Sequence, residues 1–178
     1  ARMKVQSPEV KRLLKSLRNA KMFDELSWMA DRFAARDPQL LGAVTTSYAQ
    51  GLIDSGRLVA GIEILHAAED LNILSADEAK DAAGILGRGH KQIYVNHIKT
   101  PSDAIALRDS FGGQLGKAIE CYGRDFDPQR PGENWYQGIN YIALLKRAQR
   151  DRIPADAKAD PDTMAKGMIA ALEPKAVP

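Results

Sequence analysis

The sequence predicts an all-α fold, a solenoid of about four stacked helical hairpins, and three observations lead there. Apolar residues recur at helical spacing, as at Val10, Leu13, Leu14 and Leu17. Gly42 to Ser75 reads as two amphipathic segments meeting at Asp54, Ser55 and Gly56, with small residues where closely packed helices need them. No segment sustains the period-two alternation of a half-buried strand. A lone hairpin cannot bury its apolar face, so one hairpin implies neighbours.

The first repeat covers about residues 7–40. Ser7, Pro8 and Glu9 form a helix start: the serine can accept from free amides, the proline suits the first helical position, and the glutamate favours the positive dipole end. A second helix places Phe23, Leu26, Ala30, Phe33 and Ala34 on one face and stops at Asp37, because Pro38 bars helical geometry before it. The second repeat covers 42–75 and turns at Gly56. The third, 76–128, opens on a capping box from Ser75 to Glu78 and carries an insertion over 96–113. That insertion has its own helix start at Thr100 and Pro101 and an expected breaker at Gly112 and Gly113, with Ala118 and Tyr122 on the helix that follows. The fourth, 132–174, places Trp135 at the aromatic position of its first helix, and its second helix is expected from Asp162 to Leu172, capped at Asp160 and Pro161. Met164, Met168 and Ile169 are expected as an exposed apolar end that invites self-association or a further repeat. Order is expected to last until the final few residues.

These positions resemble the tetratricopeptide pattern, whose unit is about 34 residues. Tyr48 and Ala49 stand at its Leu-Gly pair, Leu52 at the next large position, Gly61 at the small position of the second helix, Leu65 and Ala68 after it. The resemblance implies a right-handed solenoid whose first helices line a concave face. From about Ser75 to Leu145 the chain also resembles the TRAFs-binding domain, through Ile85-Leu86-Gly87-Arg88 with Lys91, Lys117-Ala118-Ile119-Glu120 with Tyr122, and Trp135-Tyr136-Gln137-Gly138-Ile139-Asn140. That helical region occurs in bacterial proteins of unknown function and in the regulatory part of apoptosis-signal-regulating kinases. It implies a protein-binding regulatory module, alternatively the regulatory domain of a larger peptidase or signalling enzyme.

Composition fits one domain over 1–178, with 44% hydrophobic residues. A net charge of +2 with interspersed signs argues against nucleic acid or an anionic membrane as partner, and no apolar run is long enough to cross a bilayer. The lone Cys121 reads as a small buried residue in a reducing, cytoplasmic setting. The chain opens without methionine, so flanking segments can be missing. Oligomeric state is left open.

Catalysis and cofactors are not expected. Asp109-Ser110-Phe111-Gly112-Gly113 carries phenylalanine where a serine-protease loop needs glycine. His90 and His97 lie about two turns apart on one helix with nothing to complete a metal set. Gly84, Gly87 and Gly89 lack dinucleotide spacing. Arg88 and Lys91 fit no core position, and either pair with Glu120 or Asp125 or bind a ligand.

The tetratricopeptide resemblance implies a concave partner-binding face made of Lys11, Lys15, Arg18, Asn19, Thr46, Gln50, Asp54, Arg88, Lys91, Gln92, Tyr136 and Asn140, with Ile53 and Asp81 alongside. Its cations, Lys11, Lys15, Arg18, Arg88 and Lys91, outnumber Asp54 and Asp81. An acidic peptide of a protein partner is the expected ligand. Clamping of a C-terminal carboxylate uses asparagine where this chain has Lys15.

Overall fold

The computed structural model describes residues 7–173. Among them the chain forms helices α1 (Ser7–Asn19), α2 (Phe23–Arg36), α3 (Leu41–Asp54), α4 (Leu58–Asp70), α5 (Ala76–His97), α6 (Pro101–Ala106), α7 (Arg108–Gly123), α8 (Trp135–Asp151) and α9 (Pro161–Leu172), with no strand. The fold is all-α, as the periodicity requires. The close of the fourth repeat and the expected end of order fall on 174–178, outside the described residues. The helices form two compact units, the first ending at Gly89 and the second beginning at His90, within α5.

In the first unit, Val10 and Leu14 of α1 close on Leu26 and Ala30 of α2 and on Leu40 and Val44. Each such burial contributes about 1.5–3 kcal/mol for a large side chain. Leu13, expected on this stripe, lies at its edge and is 40% exposed. Asp37 leaves α2 in extended geometry, and its carboxylate accepts from the Gln39 amide at 3.0 Å. A single 3-10 turn over Pro38–Leu40 then feeds straight into α3.

Helix α3 packs against α1, α2 and α4, so it is buried on several sides rather than along one stripe. Its approach to α4 depends on Gly61, where a Cβ would stand 2.7 Å from Ile53 Cγ1 and 2.8 Å from the Ala49 carbonyl oxygen. Gly56 turns the hairpin at φ +86, a conformation that only glycine adopts without strain. Leu65 and Ala68 of α4 are buried as their repeat positions require. The capping box is present: the Ser75 amide donates to Glu78 Oε2 at 3.0 Å and the Glu78 amide to Ser75 Oγ at 3.4 Å.

The second unit differs from expectation at three places. Thr100 starts α6, as the sequence predicts, and does so through a capping box with Asp103, but Gly112 and Gly113 lie inside α7 and break nothing. Each glycine costs a helix about 1 kcal/mol against alanine. That cost is offset by anchors on either side: Phe111 stacks on His97 with centroids 3.9 Å apart, and Leu115 is fully buried. Trp135 is the first residue of α8 and 51% exposed, so it is not a core aromatic. Phe126 and Tyr141 are buried in this core with ring centroids 5.7 Å apart, and a Cβ on Gly138 would run into Phe126 and Met168. Met164 and Met168 belong to the core; on α9 only Ile169 and Leu172 of the large apolar residues are exposed. The helix itself starts where expected, with Asp160 accepting from the Thr163 amide at 2.8 Å.

Candidate functional site

The first unit assembles a polar cluster from three helices. Arg18 stands in the last turn of α1, Asp54 is the last residue of α3, and Arg88 projects from α5. A carboxylate at the C-terminal end of a helix meets the negative end of the dipole, so Asp54 needs cations. It has two. Arg18 Nε lies 3.4 Å from Asp54 Oδ2, while Arg88 Nη2 contacts Asp54 Oδ1. The Arg88 contact is an ion pair without hydrogen-bond geometry at Oδ1. Arg18 also donates to Gln50 Oε1, which fixes its guanidinium. Exposure of the side chains rises from Arg18 at 16% and Asp54 at 19% to Arg88 at 41%, so Arg88 is the open member.

Lys11 reaches Glu78 Oε1 at 3.4 Å on the same unit. Burial alone would raise the Glu78 carboxyl, but the Ser75 amide and hydroxyl and the Lys11 ammonium hold it below its ordinary value. Lys15 and Asn19 of α1 and Asp81 of α5 are exposed. Two residues expected on this face are elsewhere. Thr46 is buried, its hydroxyl donating to the Gly42 and Ala43 carbonyls at 3.1 Å, and Ile53 is buried against Gly61 and Gly89. Both corrections have one cause: α3 is covered on more sides than a two-helix pattern assumes.

A second cluster forms within the second unit. Lys91 Nζ donates to Asn140 Oδ1 at 2.9 Å and lies 5.7 Å from the Tyr122 ring centroid. Asn140 Nδ2 donates to the Tyr136 carbonyl at 2.9 Å, and the half-exposed Tyr136 ring meets Tyr122 edge-on at 6.3 Å. Lys91, Tyr136 and Asn140 are therefore neighbours. Gln92 instead turns along its own helix and donates to Asn96 at 2.7 Å.

The free positive charge is smaller than the number of cations on this face, because Lys11, Arg18 and Arg88 each already face a carboxylate. Glu78 was recognised in sequence only as a capping residue; its pairing with Lys11 depends on how α1 and α5 pack, which no local pattern carries. A cleft of about 540 Å³ also opens in the second unit between α7 and the segment after α8, walled by Ile119, Tyr141 and Pro154 with Glu120 and Asp156 at its lining.

His90 and His97 lie on α5, and Ser110 and Cys121 on α7. His90 is buried with Nδ1 2.7 Å from Gln114 Oε1, and His97 Nδ1 lies 2.8 Å from the Ile93 carbonyl. Ser110 lies within α7, and Cys121 is buried. Among the described residues no group of His, Cys, Asp or Glu could hold a metal, and no helix is long and apolar enough to cross a membrane.

A family profile described as Tetratricopeptide Repeats-Sensor matches residues 11–145. No curated protein and no solved structure matches the chain.

Proposed function

We infer that this chain, which belongs to the Tetratricopeptide Repeats-Sensor family, is a non-catalytic module that binds an acidic segment of a partner protein on the polar face of its first unit. The observation that carries the reading is the convergence of Arg18 and Arg88, from α1 and α5, on the single carboxylate of Asp54. Two guanidiniums against one carboxylate leave an excess positive charge, and exposed Lys15 adds to it. Such a face attracts carboxylates and repels basic or phosphate-binding partners' cations. Lys91, Tyr136 and Asn140 offer a smaller polar group on the second unit for the same class of ligand. The description of the family as a sensor agrees with a face that is read by occupancy. The likeness to the TRAFs-binding domain supports the narrower reading of a regulatory part of a bacterial signalling protein or peptidase. The buried lone Cys121 suits a cytoplasmic setting.

Selection of a displayed random-peptide library on the whole chain tests the proposal. Enriched sequences are expected to carry an excess of Asp and Glu and to lose binding at least tenfold to the Arg88→Glu chain. Enrichment of neutral or basic peptides, or binding indifferent to Arg88→Glu, would exclude it.

A further inference from the structure

We propose that Asp54 is an internal stand-in for the ligand's carboxylate, holding the two arginines in the free protein and ceding Arg88 to the partner on binding. The inference rests on the acidic-ligand reading and adds a regulatory device to it. Arg18 is fixed twice, by Asp54 and by Gln50, and is largely covered. Among the described residues Arg88 is held by Asp54 alone, is the most exposed of the three, and meets Oδ1 without hydrogen-bond geometry. Arginine pairs best with a carboxylate through two parallel N–H donors. Asp54, tied to the end of α3 and shared with Arg18, does not offer Arg88 that fork; a carboxylate arriving from solvent does.

Exchange of this kind has a sign that a purely positioning role lacks. If Asp54 competes with the ligand, removing its charge frees Arg88 and removes a like charge from the ligand's path, so affinity rises. If Asp54 merely orients the arginines, removing its charge lets them scatter and affinity falls.

The test compares the whole chain with Asp54→Asn, and with Asp54→Ser should the first variant fail to fold by circular dichroism. The probes are fluorescein-labelled acidic peptides enriched from random libraries on each protein separately, measured by anisotropy at low and high salt. The expected result is binding about fivefold tighter to the variant, the size one ion pair near the surface contributes, with the gain shrinking in high salt. Equal or weaker binding of acidic peptides by the variant overturns the stand-in role while the acidic-ligand reading stands. Enrichment of acidic peptides by neither protein overturns both.

Discussion

Tyr94 donates its hydroxyl to Asp151 Oδ2 at 2.6 Å, joining α5 and α8 inside the second unit through a carboxylate that is almost wholly buried. Arg147 Nε at 2.5 Å and Arg150 Nε at 2.7 Å complete the shell, and Arg147 also donates to the Ile98 carbonyl at 2.6 Å. Burial alone would lift the Asp151 carboxyl; the hydrogen bonds from Arg150, Tyr94 and Arg147 more than offset this and hold it below its ordinary value. Burial, then the bond to Asp151, pushes the Tyr94 hydroxyl up to about 12.

The pH dependence of stability follows from both directions. Asp151 has a depressed folded value, so its contribution is present above the unfolded value of about 3.9 and is lost as pH falls through it toward the folded one. Tyr94 has a raised folded value, so its contribution is present below the unfolded value of about 10 and is lost as pH rises toward 12. Urea unfolding across pH is expected to show both limbs, the acid limb flattened in Asp151→Asn and the alkaline limb in Tyr94→Phe. An unchanged profile in either variant would contradict the coupling.

At neutral pH, Tyr94→Phe is expected to cost about 1.5–3 kcal/mol, the range for a hydrogen bond to a charged group. The larger penalty of about 3–5 kcal/mol for a broken buried pair does not apply, because Asp151 keeps both arginines. Denaturant midpoints at constant slope measure it.

Close packing of α3 on α4 predicts that Gly61→Ala destabilises by about 1–3 kcal/mol, since the new methyl meets the Ala49 carbonyl oxygen, which is backbone and cannot step aside. Gly113→Ala is the matching control. Its Cβ meets open space within α7, so the substitution is expected to stabilise by up to about 1 kcal/mol. Thermal melts of the pair should move in opposite directions.

Much of the fold was legible because its signals are local: the serine and proline starts, the Asp37 stop before Pro38, the small positions Ala49, Gly61 and Ala68, and the caps at Thr100 and Asp160. What failed depended on tertiary burial. Gly112 and Gly113 look like a breaker locally, but Phe111 and Leu115 anchor the helix through them. Thr46 and Ile53 fell on an apparently open face because nothing in their own helix says that α3 is surrounded. The candidate face was legible as a set of residue types, but not the pairings that occupy them. Asp54 with Arg18 and Arg88, and Glu78 with Lys11, join residues far apart in the chain.

For the partner face, Lys15→Glu is expected to weaken acidic peptides severalfold with little effect on stability, because Lys15 is exposed. Peptide anisotropy beside a thermal melt separates the two. A drop in melting temperature that accounts for the lost binding would remove Lys15 from the site.

The most direct measurement is amide and arginine Nε chemical-shift mapping of the whole chain on adding a library-selected acidic peptide. Binding at the arginine cluster is expected to give the largest shifts at Arg18, Gln50, Asp54 and Arg88. Shifts confined to the cleft beside Ile119 and Tyr141, with the arginine cluster undisturbed, would contradict it.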